Sequence, residues 1–290
     1  RPTGGRGWPC HTARMQIGLV LSGGGARCFA QIGVLQALEE QGAEVAAVAA
    51  NSTGALIGAF YAAGLSAADI REVARNLDYR ELLDFKGGGG LMGHGGLEAL
   101  LARHVPRTFE ELALPLAVPA TDLHSAEQVV FSSGPLVPAV CASNAFPGLF
   151  VPVRHAGREL IDGGVLNNVP LDLIRPLTAA RVVAVDTRPS PVARLDLPDG
   201  DAGLWRRVRG SFDGGVPVIA RVLEKAYTIT QSRLVELMYA LHPPDLTLVP
   251  ELGADFDIQD FDRLEDAYEA GYSAARGAAA ELAKLSHEPA

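Results

Sequence analysis

The sequence predicts an α/β protein whose parallel sheet is covered by helices on both faces. Three observations predict it. Short apolar runs at residues 17–21, 45–50 and 181–186 have almost no polar alternation, which is how strands buried on both faces read. Between such runs the apolar residues recur at helical spacing instead. Finally, two glycine-bearing turns 29 residues apart, Ser22-Gly23-Gly24-Gly25-Ala26-Arg27 and Asn51-Ser52-Thr53-Gly54, each stand between an apolar run and a helical pattern.

In chain order, residues 16–22 read as a buried strand. Residues 29–41 read as a helix carrying Phe29, Ile32, Val34, Leu35 and Leu38 inward and closed by Gly42. Residues 45–50 form the next strand, and residues 54–63 an apolar helix ending at Gly64. Ser66 followed by Asp69 is a capping box that opens a helix to about Leu77, and Thr108 with Glu111 repeats the pattern. Between them, residues 87–96 carry Gly at seven of ten positions and read as a surface or lid loop. Residues 116–121 and 128–132 read as strands, the first weakened by Pro119. A short helix at 171–177 and a strand at 181–186 follow. Residues 188–214 are rich in Pro, Gly and Asp and read as a long excursion, before helices at 216–240 and 262–284 flanking a strand at 246–249.

The chain has 290 residues, 48% of them hydrophobic and 20% charged, enough to bury a sizeable core. Its 25 basic against 34 acidic residues give a net charge of -9. With no local cluster of Lys and Arg to reverse it, that charge argues against a nucleic-acid partner. It also opposes a strongly anionic membrane, so lipid contact would be local and apolar. The cysteines Cys10, Cys28 and Cys141 have no metal-binding or redox spacing. They read as small packing residues in a reducing, cytoplasmic compartment. The longest apolar stretch, residues 135–153, contains four prolines and is unfit to span a membrane. Residues 1–14 are Gly-, Pro- and Arg-rich and aperiodic, and are expected to be an extension without fixed structure, with Met15 close to the natural start.

The chemistry lies in the two turns. Ester hydrolysis builds negative charge on a carbonyl oxygen, and backbone N–H groups fixed beforehand stabilise it. Gly23, Gly24 and Gly25, between a strand and a helix, leave such groups unblocked, and Arg27 could hold the loop or add positive potential. The same turn could be a dinucleotide loop, although the third glycine of that fingerprint is missing. Ser52 lies at a strand-to-helix junction, the setting of a nucleophile elbow. Gly54 supplies the small residue after it, while Ala50 stands where the ideal pattern has glycine. The competing reading of Ser52 is an ordinary N-cap. A serine nucleophile needs a base. None of the seven histidines stands in a strand-end setting; a histidine-dependent hydrolase would lean on His242 beside Pro243-Pro244. Asp162, after Leu160-Ile161 and before Gly163-Gly164, is better placed, and partial burial would raise its pKa towards that of a base. Its competing reading is the Asp-Gly turn of a hairpin. Asn51-Ser52-Thr53 also spells a glycosylation sequon, discounted because it falls in a tight turn.

Together, Ser22 to Arg27, the Ser52 turn, Ala120-Thr121-Asp122-Leu123, Ala142-Ser143-Asn144-Ala145-Phe146-Pro147-Gly148 and Asp162-Gly163-Gly164 resemble the patatin-like phospholipases in order and spacing. The bacterial single-domain branch is the nearest in pattern, and Asp260-Phe261-Asp262 with Ala270-Gly271-Tyr272 extends the likeness. The resemblance implies a three-layer α/β/α fold with a mostly parallel central sheet over residues 15–285. It implies a Ser52–Asp162 dyad without histidine, an oxyanion loop of Gly23, Gly24, Gly25 and Arg27, an elbow flanked by Ala50 and Gly54, and an acyl-enzyme intermediate. No metal or cofactor is implied. The substrate would be a lipid or other acyl ester, met by a cytoplasmic protein in peripheral contact with a membrane. Cys28, Gln31, Ala50 and Thr53 depart from the usual residues of the family. They motivate an alternative: a lipid-binding or regulatory protein with a weak site. Of the apolar residues near the candidate lid, Leu91 and Met92 are expected to form an interfacial face and Phe146, Leu149 and Phe150 to join the core.

Overall fold

A computed structural model describes residues 15–78, 92–189 and 218–285. The expected N-terminal extension, residues 87–91 of the candidate lid with Leu91, and nearly all of the 188–214 excursion lie outside the described residues.

Strand pairing places β1 (Gln16–Leu21) at the centre of the parallel part of an eight-stranded sheet. It runs parallel to β2 (Glu44–Ala50) on one side and to β7 (Arg181–Val185) on the other. β3 (Leu116–Asp122) continues the parallel set beyond β2, and β8 (Leu246–Leu248) continues it beyond β7. The remaining strands are antiparallel. β4 (Gln128–Phe131) and β6 (Arg158–Asp162) both pair with β3, and β5 (Val153–His155) forms a hairpin with β6. The expected mixed, mostly parallel α/β sheet is therefore present.

Side chains alternate between the two faces of the sheet and meet different helices. Ile17, Leu19 and Leu21 of β1, with Val45, Val48 and Ala50 of β2, face the larger core. It is covered by α1 (Phe29–Glu40), α2 (Thr53–Ala62), α3 (Ala67–Arg75), α4 (Gly95–His104), α5 (Leu136–Ser143), α8 (Leu264–Gly277) and α9 (Ala279–Leu285). Val20, Ala47, Ala49, Val182 and Ala184 face the other way, onto α6 (Leu171–Ile174) and the inner side of α7 (Val218–Leu241). That second layer is thin, and α7 crosses it beside the C-terminal ends of the parallel strands.

Several elements differ from expectation. Gly95 and Gly96 open α4 rather than belonging to a loop, because Leu97, Leu100 and Leu101 behind them are buried in the larger core. Residues 135–153 contain the short helix α5. The Ser66 capping box opens α3 as expected, whereas the Thr108 box opens only a 3-10 turn, Phe109–Glu111. The C-terminal helix is broken at Ala278 into α8 and α9. Met92, expected at an interface, is buried and bridges to Phe150; Leu149, expected in the core, is exposed. Cys28 and Cys141 are free and buried, and burial pushes both thiols up to about 12, consistent with packing residues.

Candidate active site

β2 ends at Ala50 and α2 begins at Thr53, so the chain must reverse within Asn51 and Ser52. Ser52 takes the bend at φ 54°, ψ −131°, a left-handed conformation that costs a residue with a Cβ about 1–3 kcal/mol. It occupies the N-cap position, yet its side chain makes no capping hydrogen bond, unlike an ordinary serine cap in extended backbone. The turn is held instead from outside. The Ser52 N–H donates to Ser143 Oγ at 2.9 Å, and Ser143 Oγ donates in turn to Asn51 Oδ1 at 3.1 Å.

Two glycines allow this geometry. A Cβ on Gly54 would meet the Ser22 carbonyl oxygen and come within 3.0 Å of the Leu21 carbonyl oxygen, so α2 starts directly against the end of β1. A Cβ on Gly58, one turn later, would lie 3.1 Å from the Cβ of Ala50. The extra methyl at Ala50, a departure from the family pattern, is thus accommodated by the helix that follows the elbow.

Asp162 closes β6 opposite Ala120 of β3 and is 2% exposed. Its backbone is pinned twice: its N–H donates to the Ala145 carbonyl at 3.0 Å, and its carbonyl accepts from Thr121 Oγ1 at 3.1 Å. The hairpin turn lies elsewhere, at Ala156 and Gly157, so the hairpin-closing reading of Asp162 fails. Asp162 Oδ1 accepts the Gly164 N–H at 2.7 Å and Asn51 Nδ2 at 3.2 Å. Burial raises the carboxyl from 3.8 to about 6, opposed by the neighbouring Ser52 side chain, the Gly164 N–H and the Asn51 amide. The result is a carboxylate beside a serine hydroxyl, with the affinity for protons of a base working near neutral pH.

The glycine loop lies beside both groups. The Gly23 N–H is already used, donating to the Asn168 carbonyl at 3.1 Å, but a Cβ there would come within 3.0 Å of Ser52 Cβ. Gly23 therefore makes room for the serine instead of offering its own donor. The N–H groups of Gly24 and Gly25 have no acceptor among the described residues. Arg27 is 8% exposed and turned away from Ser52: Nε donates to the Thr187 carbonyl at 2.9 Å, and its guanidinium reaches the Phe256 carbonyl at 2.7 Å. Of the two roles expected for Arg27, holding the loop is the one its geometry serves. The Ala26 N–H adds a bond to the Ile258 carbonyl at 2.8 Å. Gln31 and Cys28, two further departures from the family pattern, brace the loop from below. Gln31 Nε2 and Cys28 Sγ both donate to the Ser22 carbonyl, at 2.7 Å and 3.4 Å.

Sequence reasoning did not single out Asn51, Ser143, Asn168, Tyr227 and Gln231 as site residues. Asn51 Nδ2 bridges Asp162 and Asn168 Oδ1, the latter at 2.9 Å. Asn51 and Ser143 do fall within the quoted motifs; Tyr227 and Gln231 come from α7, where nothing in a helical pattern marks them. No described histidine is bonded to Ser52 or Asp162. His94 holds the Val151 carbonyl and stacks on Phe150, His124 pairs with Glu159, and His242 is exposed beyond α7. Among the described residues no group of three or more His, Cys, Asp or Glu is arranged to hold a metal ion, and no helix is long and apolar enough to cross a membrane.

The family model described as patatin-like phospholipase matches residues 19–174, from the middle of β1 to the end of α6. The chain belongs to the patatin-like phospholipase family. Among its relatives is an uncharacterised NTE family protein of Mycobacterium tuberculosis, 31% identical over 286 residues, covering 92% of this chain and 47% of that protein. Another is patatin-like phospholipase domain-containing protein 6 of Mus musculus, 31% identical over 274 residues, covering 88% of this chain and 20% of that protein. The chain thus spans about half the length of its mycobacterial relatives and less of the mouse one. The fold is similar to that of VipD from Legionella pneumophila, with a TM-score of 0.58 at 18% identity over 94% of this chain and 67% of that one.

Proposed function

We propose that the protein is a serine lipid acyl hydrolase working through a Ser52–Asp162 dyad. The observation that supports this most is the convergence of a strained, uncapped serine, a buried carboxyl raised to about 6 and two unused glycine N–H groups in one place. Asp162 takes the proton from Ser52 Oγ as the oxygen bonds to the ester carbonyl carbon. The carbonyl oxygen becomes an oxyanion facing the N–H groups of Gly24 and Gly25, whose loop Arg27 holds still. Collapse breaks the ester C–O bond, and the leaving alcohol carries off the proton held by Asp162. Water then attacks the Ser52 acyl ester, giving its proton to Asp162 and from there to Ser52 Oγ as the acid leaves. Desolvation helps in two ways, raising the basicity of Asp162 and strengthening the N–H dipoles. Family membership supports a lipid or related acyl ester as substrate, which a protein of this charge would meet through local apolar contact with a membrane.

The test is labelling by a fluorophosphonate probe and hydrolysis of a short-chain nitrophenyl ester, followed by a panel of phospholipids and lysophospholipids. Wild type should react, while Ser52→Ala and Asp162→Asn should each lose at least a thousandfold in ester hydrolysis. Activity retained in Ser52→Ala would overturn the assignment.

A further inference from the structure

A residue on α7, beyond the span matched by the family model, meets the turn that follows Asp162. Gln231 is 8% exposed, and its Nε2 donates to the Gly164 carbonyl at 2.7 Å while Oε1 accepts from Asn168 Nδ2 at 3.4 Å. Gly164 is also the residue whose N–H donates to the Asp162 carboxyl at 2.7 Å. The fit is close: a Cβ on Gly164 would lie 2.8 Å from Gln231 Nε2 and 2.9 Å from Asn168 Oδ1. One helical turn before Gln231, Tyr227 lies beside the Gln231 amide, senses the Asp162 charge, and packs edge-on against Phe146 with ring centroids 5.3 Å apart. Phe146 directly follows Ala145, whose carbonyl binds the Asp162 N–H. Residues 227 and 231 are thus an i, i+4 pair on the face of α7 turned to the base.

We propose that Gln231 is a positioning residue for Asp162, fixing Gly164 so that its N–H stays on the carboxylate, with Tyr227 shielding that contact from water. The inference rests on the reading of Asp162 as the base for Ser52. Among the described residues the other groups facing Asp162 carry no charge, and the Ser52 hydroxyl lowers the carboxyl alongside the Gly164 N–H. Ser52 from the start of α2, the Cys28 thiol from the turn before α1, Thr121 from β3 and the Tyr227 phenol from α7 are all uncharged near neutral pH, Cys28 and Tyr227 because burial pushes them up. Asn51 supplies a longer bond to the same carboxylate oxygen. A donor to the ionised form lowers a carboxyl pKa, so releasing Gly164 should raise that of Asp162.

The experiment measures kcat/KM for a nitrophenyl ester from pH 5 to 9 in wild type, Gln231→Met, Gln231→Asn and Val235→Ala. Gln231→Met keeps the volume and removes the donor; Gln231→Asn stays polar but falls one methylene short of Gly164. Both should move the acid limb up by about one pH unit and lower the rate at pH 6 about fivefold, with much less effect at pH 9. Val235 is buried on α7 in the second core, one helical turn beyond Gln231. Val235→Ala should lower thermal stability and leave the acid limb in place. An unmoved limb in both Gln231 variants overturns the inference, as does an equal shift in Val235→Ala, which would mean that α7 acts only through its docking. Loss of the underlying reading looks different: Ser52→Ala would then remain active, whatever the Gln231 variants do.

Discussion

Replacing Asp162 by asparagine should make the protein more stable while it loses activity. The carboxyl is buried, and its pKa stands at about 6 against 3.8, so at neutral pH the folded state holds a charge that the unfolded chain ionises more easily. At 1.36 kcal/mol per pH unit this costs about 3 kcal/mol above pH 7. The sign follows from proton counting. Between 3.8 and 6 the folded state binds more protons, so the stability contributed by the protonated carboxyl is complete below 3.8 and is lost as the pH rises through 6. Asparagine removes the charge and fits the site. Its carbonyl oxygen can accept from Gly164 and Asn51 as Asp162 Oδ1 does, leaving the amide nitrogen facing the Ser52 hydroxyl. Urea unfolding of wild type and Asp162→Asn across pH 4.5–8 is the assay. The variant should be more stable by up to about 3 kcal/mol at pH 8, or about 5–10 °C in Tm, with the gap narrowing to about 1 kcal/mol at pH 4.5. A gap that does not vary with pH, or a variant less stable than wild type at pH 8, would refute the reasoning.

Three other perturbations probe the turn and the loop. Ser52→Gly relieves the left-handed backbone at φ 54°, so by calorimetry it should exceed Ser52→Ala in stability by about 1 kcal/mol, with neither variant labelled by a fluorophosphonate. Gly58→Ala sets a methyl 3.1 Å from that of Ala50; it should cost about 1–2 kcal/mol in denaturant unfolding and be rescued by adding Ala50→Gly, a non-additive pair. Arg27→Met leaves the Thr187 and Phe256 carbonyls without their donor. It should lower kcat at least tenfold with little change in KM and destabilise by about 2–4 kcal/mol, and Arg27→Lys should not restore it, because one ammonium cannot span both carbonyls.

How much of this was legible follows from what each element depends on. β1, β2 and β7 could be read because strands buried on both faces are apolar throughout, and the two turns because each junction needs residues of special shape. The hairpin β5–β6 was missed: its strands are three and five residues long, too short for alternation to register. α4 was masked by Gly95 and Gly96, whose poor propensity is outweighed by the burial of Leu97, Leu100 and Leu101. Ser52 and Asp162 could be named because they stand next to glycines in an unusual context. Asn51, Asn168 and Gln231 could not be assigned their roles, since those come from side chains meeting across more than sixty residues of chain, and a polar residue destined for such a contact looks like any other. Met92 and Leu149 exchanged places for a related reason: which apolar residue is covered depends on the bridge between Met92 and Phe150, a pairing invisible to local pattern.

Besides β4, β3 pairs with two further strands, one along each half. Leu116 and Ala117 pair with β2, which carries the serine turn, and Ala120 to Asp122 pair with β6, which ends in the carboxylate. Between them stands Pro119, with no N–H to offer, its carbonyl against Gly163. The proposed dyad would therefore have an order of assembly. A chain that has completed β1 through α2 possesses its serine and no partner for it. The carboxylate arrives 110 residues later, and only once β6 has paired antiparallel with the second half of β3. Closing so long a loop is slow compared with forming the local unit. A nascent or partly unfolded molecule would thus expose Ser52 without Asp162 beside it, and under the proposed function hydrolytic competence would become a property of the finished sheet.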